Sequence, residues 1–236
     1  MNALYLEDSY LKEFDAVVES VTDKFVVLDK TAFFPVGGGL PCDTGKLIKD
    51  GKEFPVVFVK KVDNGISHEV SETGLEKGDK VRGVLDWSNR YTIMRYHTAA
   101  HALSNVFHES LNVLVTGNQI SLDKARFDFN LEKLDREKIE SLIEETNEKL
   151  KEGAEIKIYT LLKEEAMKIP GIVKLANAFP PDLKELRIVE IVGIDTQADG
   201  GPHVANTKEI GEIKLIKLDN KGKNNRRIYF TLGKIK

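Results

Sequence analysis

Two histidines stand four residues apart in the segment RYHTAAH, residues 95–101. In an α-helix, side chains at positions i and i+4 lie one above the other on the same face, so the imidazoles of His97 and His101 can share one divalent cation. Such a pair is a common half of a zinc site, although neutral core histidines also occur at this spacing. His97 and His101 are therefore candidate metal ligands, and a structural pair inside the helix packing is the alternative.

The residue between the first histidine and the alanines limits the chemistry of this pair. A zinc protease carries Glu directly after its first histidine, where the carboxylate acts as a general base. The corresponding residue here is Thr98, and the segment HTAAH contains no acid. Peptide hydrolysis by that route is therefore disfavoured.

A zinc site needs one or two ligands beyond the pair. Apart from the acidic residues, the candidates are His68, His108, His203 and Cys42. His203 has the most informative context, because Gly200 and Gly201 precede it in ADGGPHV and allow the backbone to approach a ligand closely. Asp199 lies four residues before His203, and the two side chains can converge across this glycine turn. Asp199 and His203 are thus the expected further ligands.

The other histidines are expected to play different parts. His68 follows a hairpin turn and is expected at the surface. His108 lies two helical turns beyond His101, and we expect it to be a neighbour of the site or a polar core residue.

Before Trp87 the chain reads as a series of short strands. β-branched runs are separated by turn signals, among them Asn64-Gly65, which is typical of a hairpin. Several strands at this spacing predict a small β-barrel. At Trp87 the pattern changes to helical spacing, which predicts a helix from about Asn89 to Leu111 with Ser88 as its N-cap.

The remainder of the chain predicts an α+β fold with a mostly antiparallel sheet. Its predicted elements are two strands in 117–131, a solvent-facing helix in 131–152, a strand in 155–161, a helix in 161–169, a strand in 186–195 and a closing hairpin formed by 209–220 and 226–233. The predicted domains are 1–87, the barrel, and 88–236.

Charge is unevenly distributed although the net charge of the 236-residue chain is only −3. Residues 208–236 contain nine Lys or Arg against three Asp or Glu. Within them, the segment 220–230 carries Lys221, Lys223, Arg226 and Arg227 without any acid. Such a cluster is either a solvated hairpin or a patch that contacts nucleic-acid phosphates.

Composition also indicates the cellular compartment of the protein. No stretch approaches the roughly 18 apolar residues that cross a bilayer, and the N-terminus has no basic segment typical of a signal peptide. Cys42 is the single cysteine, which excludes an internal disulfide. We therefore expect a cytoplasmic protein that does not bind membranes.

Three motifs together resemble a known family. RYHTAAHALSNVF and GGPHVANTKEIGEIKLIK resemble the editing domain of alanyl-tRNA synthetase and its free-standing relatives, the AlaX proteins. AFFPVGGGLPCDTG resembles the glycine-rich motif in the N-terminal barrel of the longer AlaX forms. The resemblance runs from about residue 4 to residue 236. It implies an N-terminal barrel with a glycine-rich loop, followed by a two-layer α/β zinc-binding editing domain.

The resemblance implies one zinc ion per chain, held by two helix histidines and a Cys-x-x-x-His pair. His97, His101 and His203 match three of these ligands, and Asp199 stands where the family has cysteine. Leu40 is a second departure, because the family's loop usually reads GGGQP with a polar Gln at that position.

The implied reaction is hydrolysis of the ester that joins a wrong amino acid to tRNA(Ala). Serine is the usual wrong amino acid in this family, and glycine is the second candidate. Thr98 and Asp199 are the candidate catalytic side chains. The backbone donors of Gly37, Gly38 and Gly39 are candidate substrate contacts.

The tRNA is expected to contact the cations of the 220–230 segment: Lys221, Lys223, Arg226 and Arg227. We expect no obligate protein partner, and the sequence leaves dimerisation open. Two alternatives remain: a catalytically impaired tRNA-binding protein of the same fold, and a metallohydrolase of a small ester.

Overall fold

A computed structural model describes residues 2–63, 65–133, 135–172 and 184–235. The chain divides into two compact units, Met1–Met94 and Arg95–Lys236, and the division falls inside the first helix. The strands of the first unit are β1 Asn2–Ala3, β2 Glu13–Thr22, β3 Phe25–Leu28, β4 Lys30–Thr31, β5 Gly45–Lys49, β6 Lys52–Val62, β7 Gly65–Val70 and β8 Lys80–Leu85.

Six of these strands close into an antiparallel barrel in the order β2-β3-β7-β6-β5-β8, which confirms the predicted barrel. Burial alternates along β2, where Phe14, Ala16 and Val18 are buried, as expected for strands with one face towards a core. The predicted hairpin is formed by β6 and β7, which pair as far as Val62 and Gly65. Asn64 itself lies outside the described residues.

His68 is fully buried in the barrel, so its predicted surface position is wrong. Its strand, β7, pairs with β3 on one side and with β6 on the other, and its ring packs edge-on against Phe33. Nε2 lies 2.8 Å from the hydroxyl of Thr31, and Nδ1 lies 3.0 Å from the carbonyl of Val26. The hairpin signal locates the turn, but it does not show which face of β7 points inward.

The first helix, α1, spans Trp87–Leu111. Its N-cap is Asp86 and not Ser88, because the carboxylate of Asp86 accepts a hydrogen bond from the backbone N–H of Asn89 at 3.2 Å. The predicted helix start at about Asn89 is therefore two residues too late.

A buried ion pair fixes the first turns of α1 within the barrel unit. Arg90 is completely buried, and its Nε donates to both carboxylate oxygens of Asp43 at 3.0 and 3.1 Å. The terminal nitrogens donate to the carbonyls of Ser9 and Ala32 at 2.9 and 2.6 Å. Asp43 also accepts from the N–H of Phe34, so both charges are fully hydrogen-bonded.

Within its described residues, the second unit contains two antiparallel sheets and not one, with the orders β14-β15-β10-β9 and β11-β12-β13. Their elements are β9 Val115–Ile120, β10 Ala125–Phe129, α2 Arg136–Lys151, β11 Ile156–Leu162, α3 Lys163–Ala166, β12 Glu185–Ile191, β13 Asp195–Ala198, β14 Ile213–Gly222 and β15 Asn225–Leu232. The α+β class with antiparallel pairing is confirmed.

Two predicted helices differ in length from those observed. The helix predicted for 161–169 is only the single turn α3, because residues 161 and 162 continue β11. The long helix begins at Arg136, after its N-cap Asp135, whose side chain accepts from the N–H of Lys138. None of the helices in the described ranges has the length and apolar character needed to cross a membrane.

Candidate metal centre

The middle of α1 presents His97 and His101 on one face, and both are almost completely buried. The ring centroids lie 4.9 Å apart with the rings perpendicular. Buried Ala99, Ala100 and Ala102 flank the two histidines and leave room for packing around the helix. The i,i+4 spacing therefore brings the two imidazoles together, as predicted.

The loop after β13 brings His203 to this pair. The ring centroid of His203 lies 4.1 Å from that of His97 and 4.8 Å from that of His101. Gly201 makes this approach sterically feasible, because a Cβ at that position would lie 2.5 Å from Cε1 of His97. His203, about a hundred residues beyond the helix pair in sequence, thus meets His97 and His101 at one point.

Asp199 completes the group from the same loop. Its Oδ1 lies 3.0 Å from Nε2 of His203 and 3.6 Å from Nε2 of His97, and it accepts a hydrogen bond from the N–H of Gly201. One ligand atom from each of the four side chains lies within 4.8 Å of every other. The predicted convergence of Asp199 and His203 across the glycine turn is present.

The second ring nitrogen of each histidine lies near an oxygen atom outside the set of ligand atoms. Nδ1 of His97 lies 3.2 Å from the carbonyl of Pro202, and Nδ1 of His203 lies 3.1 Å from the hydroxyl of Thr98. For His101, Nδ1 lies 3.3 Å from Oδ2 of Asp195 but makes no hydrogen bond among the described residues. The carbonyl acceptor at Nδ1 of His97 favours the tautomer in which Nε2 carries the lone pair, the usual arrangement around a metal-binding histidine.

Burial controls the charge of the cluster. It lowers the pKa of His97 to about 4 and that of His203 well below its usual value, so both rings are neutral at pH 7. Burial alone would raise the pKa of Asp199, but the adjoining imidazoles of His97 and His203 outweigh it and hold that pKa well below its usual range. Neutral imidazoles and an ionised carboxylate are the forms that bind metal ions.

The four side chains fit a zinc ion in type and number. Zinc takes four N, O or S ligands in a tetrahedron with bonds of about 2.0–2.2 Å, which puts neighbouring ligand atoms about 3.4 Å apart. The contacts of Asp199 at 3.0 and 3.6 Å bracket this value. Asp199 is also the only partly exposed member of the group, so the cluster opens towards solvent at its carboxylate.

The other predicted ligand candidates lie outside this group. Among the described residues, the only group of three or more His, Cys, Asp or Glu side chains placed to hold a metal ion is the cluster of His97, His101, Asp199 and His203. His108 is bonded to the carbonyl of Val113 at 3.0 Å.

Thr98 is fully buried, and its contacts tie two parts of the site together. The hydroxyl accepts a hydrogen bond from the N–H of Val204 at 3.3 Å and bonds to Nδ1 of His203 at 3.1 Å. These contacts suit a residue that orients His203, whereas the sequence made Thr98 a candidate catalytic side chain.

The glycine-rich loop of the barrel unit is a tight turn. Gly37 and Leu40 exchange backbone hydrogen bonds, and Gly38 and Gly39 both have positive φ, of 61° and 86°. Two consecutive positive φ values are those of a type I′ turn, in which glycine is strongly favoured. The N–H of Gly37 is therefore used within the turn, and the donors of Gly38 and Gly39 remain on its exposed tip. Leu40 is buried as an apolar support of the turn.

The predicted phosphate patch separates into two kinds of residue. Arg226 is buried, and its guanidinium donates to the side chain of Asn220 and to the carbonyls of Glu132, Gly222 and Asn225.

Arg227 forms a bidentate pair with Asp128 at 2.6 and 2.7 Å. Lys221 and Lys223 are exposed, and Lys221 lies 3.9 Å from its nearest acid, Asp219. The two arginines thus hold the hairpin, and the two lysines face solvent.

Two further residues beside the cluster were not predicted from the sequence. Asp195, on β13, faces His101, and Arg187, on β12, donates to the carbonyls of Asp199 and Gly201 at 2.8 and 3.1 Å. Arg187 thereby fixes the loop that carries the carboxylate ligand candidate. An acid that ends the apolar run IVEIVGID was the one available signal for Asp195, and nothing local distinguishes Arg187.

Both units match models of known protein families. The profile described as threonyl and alanyl tRNA synthetase second additional domain matches residues 186–229, and that of class II (A) tRNA synthetases matches residues 4–89. The alanine–tRNA ligase of Pyrococcus furiosus is 37% identical over 98% of this chain but only 26% of its own length.

Two relatives match along their whole length. The alanyl-tRNA editing protein AlaX-M of Methanosarcina barkeri is 48% identical over 98% of both chains. That of Saccharolobus solfataricus is 50% identical over 97% of this chain and 98% of its own. The barrel, the histidine cluster and these full-length matches agree, and the chain belongs to the AlaX-M family of alanyl-tRNA editing proteins.

Proposed function

We propose that this protein removes the wrong amino acid from mischarged tRNA(Ala), hydrolysing Ser-tRNA(Ala) first and Gly-tRNA(Ala) second. The family makes it an enzyme, an aminoacyl-tRNA deacylase, with alanyl-tRNA editing as its role. The observation that supports the finer assignment is the convergence of three imidazoles and one partly exposed carboxylate at a single point. The functional parts are the barrel domain, 1–87, and the editing domain, 88–236.

The cluster is proposed to hold one zinc ion per chain through His97, His101, His203 and Asp199. Such an ion supplies Lewis acidity, either towards an ester carbonyl or towards water. Asp199 keeps the negative charge that a thiolate would bring, while offering a harder oxygen donor. The carbonyl of Pro202 and the hydroxyl of Thr98 hold two of the rings in the orientation that binding requires.

The chain's own groups must position the ester and a water molecule, because an aminoacyl ester is already activated towards hydrolysis. Asp199 is the cluster member nearest solvent, and we assign it the contact with the incoming ester or water. The exposed N–H groups of Gly38 and Gly39 are proposed as hydrogen-bond donors to the substrate. Thr98 acts through His203, as a positioning residue.

Discrimination between serine and alanine follows from hydrogen bonding. A synthetase pocket for alanine cannot fully reject serine, which adds one hydroxyl, or glycine, which is smaller. An editing pocket that hydrogen-bonds the serine hydroxyl leaves its polar groups unpaired when alanine enters. Correct Ala-tRNA(Ala) is therefore expected to survive. Because charged tRNA is made and used in the cytoplasm, we place the protein there.

The decisive experiment is a side-by-side deacylation assay with Ser-tRNA(Ala), Gly-tRNA(Ala) and Ala-tRNA(Ala), together with metal analysis of the purified protein. We expect stoichiometric zinc, rapid loss of serine, slower loss of glycine and little loss of alanine.

Binding of tRNA without zinc uptake or deacylation would contradict the proposal and favour an impaired binding protein. Equal hydrolysis of a small amino-acid ester would favour a general metallohydrolase instead.

A further inference from the structure

The second unit carries a cationic groove that none of the predicted functional residues lines. It has a volume of about 620 Å³ and lies between the end of α2, the turn after His203, the start of β14 and the segment after β15. Four of its ten lining residues are lysines, and only one is acidic, Glu212. The lysines are Lys151, Lys208, Lys214 and Lys234. We refer to it as the lysine groove.

The walls of the lysine groove are held by side-chain hydrogen bonds. The amide of Asn147 donates to the carbonyl of Ile213 at 2.9 Å and accepts from its N–H at 2.8 Å, which joins α2 to β14. The hydroxyl of Thr207 donates to the carbonyl of Leu150 and accepts from the N–H of Ala154. Because these bonds do not depend on a ligand, the groove is preformed.

The lysines of the groove are available to an anion. Lys208 and Lys234 are exposed and form no ion pair within the described part of the chain. Lys214 pairs with exposed Glu212 at 3.3 Å, and Lys151 pairs with an exposed glutamate of its own helix at 2.6 Å. Exposed pairs of this kind contribute little to stability, so a phosphate can replace the carboxylate at small cost.

The side chain of Lys208 lies across the end of α2. A Cβ at Gly153 would lie 2.5 Å from its Cε, so the lysine runs directly over this glycine. Gly153 also has a φ of 84°, which glycine adopts readily. The cation of Lys208 therefore lies at the lip of the groove beside the turn that ends α2.

The lysine groove is bonded to the helix that carries the histidines. Arg95, two residues before His97, donates to the carbonyls of Ile210 and Gly233 at 2.7 and 2.8 Å. Gly211 lies between them, where a Cβ would approach the Gly233 carbonyl to 2.7 Å. One edge of the groove is thus continuous with the turn of α1 from which His97 projects.

We propose that the lysine groove binds the phosphodiester backbone of the tRNA and supplies more phosphate contacts than the hairpin lysines. The identity of the RNA rests on the proposed function, whereas the affinity for a polyanion backbone rests on the groove itself. Clustered lysines on a preformed surface neutralise successive phosphates and release their counterions. In the hairpin segment 220–230, the two arginines are bonded within the protein and Lys221 lies 3.9 Å from Asp219, which leaves Lys223 as the cation without an ion pair among the described residues.

The test compares two double variants of the full chain, Lys208→Gln/Lys234→Gln in the groove and Lys221→Gln/Lys223→Gln in the hairpin. Both remove two positive charges from exposed positions in the same unit. The dissociation constant for uncharged tRNA(Ala) is measured across a series of KCl concentrations. We expect the groove variant to bind at least about tenfold more weakly and to lower the salt slope by about 1.4–1.8, and the hairpin variant to change both by less than half as much.

Several outcomes would overturn the proposal. An equal loss of tRNA affinity in the two variants would show that only the net charge matters. An unchanged dissociation constant in the groove variant would show that the groove does not contact the tRNA. A lower melting temperature with normal binding would assign Lys208 to the carbonyls at the end of α2. Stronger displacement of tRNA by polyglutamate than by duplex RNA would assign the groove to an acidic protein.

Uncharged tRNA separates this proposal from the proposed function. If tRNA binding depends on the groove but the wild-type protein hydrolyses none of the three esters, the proposed deacylase specificity is wrong and the groove assignment remains. Hydrolysis with normal binding by the groove variant would remove the groove alone.

Discussion

The two units each bury a set of polar side chains, and the sets differ in where their lone pairs and N–H groups point. In the barrel unit, Arg90 and Asp43 bond to each other, and the remaining guanidinium donors end on backbone carbonyls. His68 uses both ring nitrogens in bonds to Thr31 and Val26. The polar groups of this set are directed at partners within the protein.

In the second unit, one ligand atom from each of the three histidines lies within 4.8 Å of the others and of a carboxylate oxygen of Asp199. Nδ1 of His97 lies against the carbonyl of Pro202, and Nδ1 of His203 lies against the hydroxyl of Thr98. Burial does not separate the two sets, because it lowers the pKa of both His68 and His97 to about 4. The convergence of the ring nitrogens separates them. The two ring nitrogens of His68 bond to separate groups of the barrel, whereas one nitrogen from each of three histidines shares a focus with the carboxylate of Asp199, which is the arrangement of a ligand site.

The strongest test of this contrast removes one member of the cluster. We expect His101→Ala to lower metal affinity and deacylation by about 100- to 1000-fold, because about 10–16 kcal/mol of zinc binding is shared among four ligands and each factor of ten costs about 1.4 kcal/mol. Metal analysis and single-turnover deacylation measure the two effects. His68→Gln is the matched control, because it replaces a buried histidine outside the cluster. Stoichiometric metal in the His101 variant would contradict the assignment of His101 as a ligand.

The next largest effect is expected in the barrel unit, on stability alone. Arg90→Met leaves the carboxylate of Asp43 buried without its partner, which typically costs about 3–5 kcal/mol. For a chain of this size, that corresponds to a melting temperature lower by about 10 °C. Thermal unfolding measures the loss of stability, and metal analysis of the folded variant is expected to show an unchanged metal content. A variant of normal stability would refute the structural role of this ion pair.

His68 predicts a pH dependence of stability. Its folded pKa of about 4 lies below the ordinary value of 6.5, so the unfolded chain takes up the proton first as the pH falls. The stabilisation is complete above pH 6.5 and is lost towards pH 4, by up to about 3 kcal/mol. Denaturant unfolding of the wild type and of His68→Gln from pH 7.5 to 4 measures this difference, and parallel pH profiles would contradict the prediction.

The smallest effect concerns the orientation of one ligand candidate. Thr98→Val preserves shape and removes the hydroxyl beside Nδ1 of His203, and loss of such an outer partner lowers metal affinity about 10- to 100-fold. Thr98→Ser keeps the hydroxyl and is expected to retain most of the affinity. Metal titration of the apo-protein compares the two, and equal losses in both variants would point to packing instead of the hydrogen bond.

The local pattern of the chain determined most of its secondary structure and half of the site. The alternating runs before residue 86 identified the barrel strands, and helical spacing identified α1 with His97 and His101 on one face. The glycine turn before His203 gave the pairing with Asp199. These features depend on neighbours within a few residues, so they are readable from the sequence.

Only the tertiary structure decided which polar residues have a partner far along the chain. It buried His68 against strands on both sides, bound Arg226 to carbonyls as distant as that of Glu132, and placed Asp195 and Arg187 around the cluster. It also assembled lysines from α2, the turn after His203 and the C-terminal segment into one groove. The physical reason is that hydrogen bonds and burial depend on distance in space, which sequence separation does not fix.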